Sequence, residues 1–479
     1  MLRALALAVL FSPGGVVVAH AQTQAQTRPP AQSSDRGEIT LEQARQLAIY
    51  ALQNGDPGLA IQVSKGLLQA DPRDPLAYFV IAQAHAGLNQ PNLGRRAAAR
   101  AYRYTKNDGS RYQAAQLAAK MAYLEGKPSL AQVWLRRTAQ FAPGETEERA
   151  VARDYRALRA INPMSFRLRL DARPSNNVNN GSDTALNIID GVPDGGTTPV
   201  AGRALSGVIG SVDLAGTYRL RGDEGSSTTL GGRIYIQRVA LSNAARDLLA
   251  SVPGPVRVGN SNFASTYGEV SLRHIFAVGE ADKGGTAVVE LAVGESWYAQ
   301  ERSYRFTRLQ GERRWRTGQG RTQITLLAQA EDRAKARYGA NDARILGLGA
   351  KVRRKLDSGD SVGVTLALRD TDAVDNNGTL TSVSMRANYS FARSVGPARL
   401  STGLVLGYSD YPVYNLTFPP RPVPRTDKSI YADVSLFFDR YDYAGFAPLL
   451  RIRAGKKFSN FSRFESRELS VSLSVQSKF

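Results

Sequence analysis

Cysteine is absent from the 479 residues. That excludes disulfides, thiolate metal sites, a cysteine nucleophile and lipidation through an amino-terminal cysteine. Histidine is almost absent, with only His20, His85 and His274. His85 falls in a helical repeat and His274 in a strand, so a histidine dyad or metal cluster lacks members. No run approaches the roughly 20 apolar residues of a membrane helix, so an inner-membrane helical protein is not expected. Gly347 and Gly349 lie inside a strand and open no helix, which removes a phosphate loop. The carboxylate pairs Asp370/Asp372 and Asp439/Asp442 sit at strand ends and turns and read as solvated. No nucleophile is nominated. The chain is not expected to be an enzyme or to carry a cofactor or metal.

Basic residues dominate instead, 62 Lys and Arg against 42 Asp and Glu, for a formal net charge of +20. Nucleic acid would be the usual partner of such a charge, but the amino terminus argues for export. Met1-Leu-Arg3 is a short basic segment, Ala4 to Val18 is apolar, and Ala19-His20-Ala21 is an A-x-A cleavage site. Residues 1–21 therefore read as a signal peptide and 22–37 as a disordered linker, with no nucleic-acid partner. The excess arginine then suits an aqueous lumen or its rims, or anionic lipopolysaccharide outside.

From 38 to 160 the pattern is helical and rich in Ala, Leu, Gln and Arg. Asn54-Gly55-Asp56-Pro57-Gly58-Leu59-Ala60 precedes a helix ending at Ala70-Asp71-Pro72, and Glu125-Gly126-Lys127-Pro128-Ser129-Leu130-Ala131 precedes one ending at Phe141-Ala142-Pro143. The offset from Gly55 to Gly126 is 71, about twice the 34-residue tetratricopeptide (TPR) period plus a small insertion. A middle copy fits from Pro75 to about Lys106, with Asn89 and Gly94 at the turn and small-residue positions. Three repeats are expected. They form either a solenoid with a partner-binding concave face or a set of helices that merely pads and orients the second half of the chain.

From 161 to 479 the pattern changes to strands and polar turns, as expected of a separate domain. Candidate strands lie near 163–173, 206–221, 227–241, 262–277, 285–300, 302–313, 320–332, 342–357, 360–370, 379–392, 397–409, 428–439, 446–457 and 466–479. Leu346, Leu348, Ala350 and Val352 alternate with Gly347, Gly349, Lys351 and Arg353, and arginine at mid-depth in lipid is costly, so the basic face should be the lumen. Connections after odd strands, including Pro174–Leu205, Ser242–Ser261, Asp370–Thr379 and Asp410–Asp427, are long, and most others are short. Tyr408, Tyr411, Tyr414 and Tyr431 are expected in interfacial girdles. The last strand alternates Leu469, Val471, Leu473 and Val475 and closes on Phe479, as a barrel-assembly signal does, although Ser477 stands where an apolar residue is usual. The fold class is thus an N-terminal α-helical TPR solenoid followed by an antiparallel transmembrane β-barrel of about 14 strands, an even number.

The junction carries a specific resemblance. Asn162-Pro163, Phe166, Pro174-Ser175 and Asn177-Val178-Asn179 resemble the first barrel strand and loop of the surface lipoprotein assembly modulator (Slam) family, departing at Met164 where Trp is usual. The resemblance extends to the architecture of leader, short TPR region and barrel. It implies an outer-membrane protein with its helical domain in the periplasm, delivering client lipoproteins or secreted proteins to the cell surface. Its implied partners are that client, the barrel assembly machinery and outer-membrane lipid. The family supplies no catalytic residues. Repeat spacing nominates Arg45, Gln83, Gln113, Gln116 and Lys120 for the client-facing side of the solenoid. Exopolysaccharide export by a TPR-barrel porin and a passive outer-membrane pore remain alternatives.

Overall fold

The computed structural model describes residues 39–251, 258–279, 284–334, 342–417, 420–443 and 445–477. The expected leader and linker, and Phe479 of the assembly signal, lie outside the described residues. The chain divides into a helical unit ending at Asn162 and a barrel unit beginning at Pro163.

Among the described residues seven helices build the first unit: α1 (Leu41–Gln53), α2 (Pro57–Ala70), α3 (Pro75–Gly87), α4 (Pro91–Tyr104), α5 (Asp108–Leu124), α6 (Pro128–Gln140) and α7 (Glu145–Ile161). Proline opens α2, α3, α4 and α6, where its missing N–H costs nothing. Side chains of Thr40, Asp56, Asp74 and Asn107 cap α1, α2, α3 and α5 by accepting from first-turn amides. Within each of the first three pairs the chain reverses at a left-handed residue: Gly55 at φ 75°, Asn89 at φ 53° and Gly126 at φ 74°. These turns lie 34 and 37 positions apart. The three added residues belong to the third repeat, whose α5 has 17 residues where α1 and α3 have 13, while the linker before it is one residue shorter.

Counting from each turn shows one packing rule. The fifth residue on is Ala60, Gly94 or Ala131, the ninth Ser64, Ala98 or Leu135, and the twelfth Leu67, Ala101 or Thr138, and all nine are buried. That is an i, i+4, i+7 stripe on each second helix. Seven residues before the turns, Ala48, Ala82 and Ala119 are buried on the first helices. Small residues at these heights let paired helices approach closely. The stripe thickens toward α7, where Trp134, Leu135, Val151, Tyr155 and Leu158 close the core.

The second unit is a closed antiparallel barrel of fourteen strands. Its first strand is β1 (Met164–Ser175). A small hairpin of β2 (Leu186–Ile189) and β3 (Val192–Thr197) comes next, outside the barrel sheet. The remaining strands are β4 (Gly207–Gly222), β5 (Ser226–Leu241), β6 (Ser265–Val278), β7 (Gly285–Tyr298), β8 (Glu301–Thr317), β9 (Thr322–Ala334), β10 (Ala343–Lys355), β11 (Ser361–Ala373), β12 (Leu380–Ser390), β13 (Arg399–Thr417), β14 (Pro420–Phe437), β15 (Phe446–Ser459) and β16 (Ser466–Ser477). Each barrel strand pairs with its sequence neighbour in the barrel. Closure is made by β1 on β16, with Leu170 opposite Val475, Ala172 opposite Leu473 and Ser175 opposite Ser470.

The period-two pattern decides inside from outside. Phe166, Leu168 and Leu170, then Leu346 and Leu348, then Val471, Leu473 and Val475 are all exposed on the outer wall. Such a ring of large apolar side chains would be costly against water and is what lipid requires. Among the described residues no helix is long and apolar enough to cross a membrane. Crossing is left to the strands.

Four expectations need correction. Asp410–Asp427 is not a loop: β13 continues to Thr417 and β14 begins at Pro420, with a register shift between Tyr411 and Tyr414. Tyr414 is therefore no girdle residue but a buried partner of Ile189 and Phe461, and Tyr431 stacks inward beneath Arg453. The long connections are also structured, holding the β2–β3 hairpin and a short helix, α8 (Asn243–Ala250). Finally, the link from β7 to β8 is only Ala299–Gln300, both at positive φ, the geometry of a tight hairpin turn.

Candidate functional site

The junction residues are built into the framework. Asn162 ends α7, and its side-chain amide donates to Ser129 Oγ at 3.1 Å and Gln132 Oε1 at 2.9 Å. The Pro163 carbonyl accepts from the Arg219 amide at 2.8 Å. Phe166 faces outward on β1. Pro174 closes the strand before Ser175, whose hydroxyl accepts the Asn177 amide N–H at 3.1 Å.

Asn177 and Asn179 act as clamps. The Asn177 side chain donates to Gly181 O and accepts from Gly181 N, both at 2.8 Å. Asn179 donates to Ala201 O at 3.0 Å and Arg203 O at 2.7 Å, and accepts from Leu205 N at 3.0 Å. The start of the first loop is thereby tied to its end. Val178, between them, is buried with Leu205, Ile209 and Phe263. A Cβ on Gly181 would fall 2.2 Å from the Arg203 carbonyl oxygen, so glycine is required there. The motif is architectural.

The five nominated solenoid residues share one register. Counted back from the turns, Arg45 and Gln116 stand ten before, Gln83 and Lys120 six before, and Gln113 thirteen before. These heights follow i, i+3, i+7 spacing and so lie on one side of each first helix. Gln113 and Lys120 are exposed, and Gln83 and Gln116 half-buried. Arg45 is already engaged, 2.9 Å from the buried cap Asp74 and 3.5 Å from Glu42. The register also brings in Phe79, ten before its turn and half-buried, which spacing over a degraded middle repeat had missed.

Two carboxyls of this unit are strongly perturbed, in opposite directions. Glu125 is pulled down to about 2, chiefly by the hydrogen bond from Arg95 at 2.6 Å, with Lys127 adding to it. Burial pushes Asp154 up to about 6 despite Arg153 at 3.8 Å, and its Oδ1 has no hydrogen-bond partner among the described residues.

Inside the barrel the charges are ordered. On β6 to β9, Arg308 lies 2.7 Å from Glu269 and 3.7 Å from Glu331, and Arg333 lies 2.7 Å from Glu331. Arg273 sits between Glu290 at 3.7 Å and Glu312 at 3.9 Å, with Arg314 against Glu312. Four arginines thus meet four glutamates. Close by, Tyr267 stacks on Phe306, centroids 5.5 Å apart, across Gly294, where a Cβ would stand 2.7 Å from the ring. Farther round, Arg386 reaches Asp433 at 2.7 Å over Gly403. Lumenal glycines give bridging side chains their room. The alternation at Lys351 and Arg353 made the basic wall readable in sequence. The same parity along β6, β8 and β9 would have found Glu269, Glu312 and Glu331 on the same inner face. Among the described residues no group of three or more His, Cys, Asp or Glu is placed to hold a metal ion.

No family model matches the chain, and neither does any curated protein. Among solved structures, the Yersinia enterocolitica type III secretion translocator chaperone SycD is 19% identical over 26% of this chain and 88% of its own, with TM-score 0.23. Acinetobacter baumannii OccAB3 is 10% identical over 65% of this chain and 98% of its own, with TM-score 0.33. A bacterial polysaccharide outer membrane secretin is also 10% identical over 65% and 98%, with TM-score 0.31.

Proposed function

We propose that this chain is an outer-membrane translocator of the surface lipoprotein assembly modulator type, passing client proteins from periplasm to cell surface. One observation carries the reading: a three-pair helical repeat array and a closed, charged-lumen barrel stand in a single chain. Helical arrays of this kind present extended surfaces to partners, and a closed barrel with a lipid-facing exterior belongs in an outer membrane. In this reading the helical unit lies in the periplasm and receives the client or its chaperone. The face bearing Gln83, Gln113, Gln116 and Lys120 is its contact surface. The outward row Val471, Leu473 and Val475 of β16 is what the barrel assembly machinery engages. No chemistry is required of the protein, which supplies binding and passage.

Protease shaving of intact cells tests the proposal, using a lipobox or small secreted protein encoded beside this gene. With the gene deleted, the client should become protease-resistant at unchanged total amount. Unchanged exposure would remove that client from the reading. A passive pore is the second reading, favoured by the arginine-lined lumen. It expects no change in shaving but a measurable conductance in a planar bilayer.

A further inference from the structure

On β6 to β9 four guanidinium groups, those of Arg273, Arg308, Arg314 and Arg333, meet four glutamates. Around the closing strands arginine is in excess. A recess of about 350 Å³ opens there on the inner wall, formed by β1, β4, β5, β15 and β16. Its lining includes Arg169, Arg173, Arg233, Arg451 and Arg453. Asp171 and Asp213 also line it, and Glu468 stands beside it. With Asp433, 3.9 Å from Arg451, five cations therefore face four carboxylates.

Three of these carboxylates, Asp213, Glu468 and Asp433, are already committed or shared. Asp213 is taken by Arg233 in a two-point bridge at 2.8 and 3.1 Å. Glu468 serves both Arg173 at 3.5 Å and Arg453 at 3.7 Å, distances too long for good charge-assisted bonds. The Nε atoms of Arg173 and Arg453 are buried with no hydrogen-bond partner among the described residues. An unfilled guanidinium donor away from water is costly unless something accepts from it. Ser470, Ser472 and Ser474 line the same recess in a row along β16. Ser470 donates to Glu468 at 2.9 Å and Ser474 to the Leu449 carbonyl at 3.5 Å, while the Ser472 hydroxyl faces the recess as a further donor.

We propose that this recess is an oxyanion-binding site on the lumen wall, taking the phosphate or carboxylate groups of an acidic solute or chain. Arginine forks and serine hydroxyls are the donor set that such groups accept from. The volume admits a di- or triphosphate rather than a single small ion. The site stands apart from the client reading, because it is measured on purified protein with no client present.

Calorimetric titration of the full-length chain in detergent with tripolyphosphate, and separately with citrate, tests it. Binding of at least one is expected, weakening as salt rises. Tripolyphosphate alone would assign a phosphate site and citrate alone a carboxylate site. The double variant Arg169→Gln/Arg451→Gln should bind at least tenfold more weakly, while Lys351→Gln, on the lumen face of β10, should bind as the parent does. Folding of each variant is checked by its heat-dependent shift on gel electrophoresis. Binding of neither anion overturns the proposal, and so does an equal loss in Lys351→Gln, which would mean general attraction to a basic lumen.

Discussion

Asp154 is where a single residue most clearly works against its own fold. It sits on α7 next to Tyr155, in the layer that closes the helical core, and only 5% of it is exposed. Its carboxyl, raised to about 6 by burial, prefers the neutral form when folded, whereas the unfolded chain titrates near 3.8. Folding therefore takes up a proton between these values. The stabilising contribution is complete below about 3.8 and is lost as pH rises through about 6. At neutral pH the folded unit carries a poorly solvated charge, and Asp154→Asn should relieve it by about 2 kcal/mol. The helical transition of the full chain, followed by far-UV circular dichroism, should rise in temperature at pH 7 in the variant. Its dependence on pH between 4 and 6 should flatten. Equal pH profiles for variant and parent would show that solvent reaches the carboxyl after all. Glu125 acts in the opposite sense: its contribution is present above about 4.5 and is lost as pH falls toward 2.

At the level of elements, the turn-to-small-residue spacing explains what was readable. Gly55 and Ala60, and Gly126 and Ala131, stand five apart in the chain, so the first and third pairs could be placed from sequence. The middle pair uses Asn89 for Gly and Gly94 for Ala. Its turn is equivalent only because asparagine tolerates the left-handed region. All fourteen barrel strands were legible for a similar reason, since lipid outside and water inside impose strict alternation. Where the environment is neither, the pattern failed. The outer ends of β13 and β14 pack on loop residues instead of lipid, so their polar composition read as a connection. Gly94 and Gly66 give the element-scale test. A Cβ at Gly94 meets Met121 Sδ at 3.0 Å and the Ala82 carbonyl oxygen at 3.1 Å, whereas nothing lies within 4 Å at Gly66. Gly94→Val should lower helical-unit stability by about 2 kcal/mol through overpacking. Gly66→Ala should raise it by about 1 kcal/mol through helix propensity. Denaturant titration read at helical wavelengths distinguishes them, and a neutral Gly94→Val would mean that α3, α4 and α5 do not approach so closely.

For the whole molecule, the decisive contact joins residues nearly 300 positions apart. A barrel exists only when its first strand meets its last, and here the β1–β16 ladder is reinforced beyond its end by loops. Asn176 Oδ1 accepts the Leu469 amide at 2.9 Å, and Asp183 Oδ1 accepts that of Arg467 at 2.9 Å. Ile189 bridges to Phe461, which is fully buried. Ser462 is the centre of this clasp: its hydroxyl accepts the Ile188 amide at 2.8 Å and donates to Leu186 O at 2.7 Å. None of this was legible, because each partner is ordinary by itself and only closure of the barrel brings them together. Ser462→Ala removes both bonds at once and leaves two backbone groups of the β2 strand unanswered, at a cost of about 1–3 kcal/mol. Every 1.4 kcal/mol is tenfold in an opening equilibrium, so amide exchange at Ile188 should speed up by roughly ten- to hundredfold. The barrel strands, held by their own ladders, should keep their protection, and the folded form should keep its gel mobility. If Ile188 exchanges no faster in the variant, the hairpin is held by Ile189 and Phe461 packing alone. If strand protection falls with it, the clasp and the barrel open as one cooperative unit, and closure depends on the loops as much as on the ladder between β1 and β16.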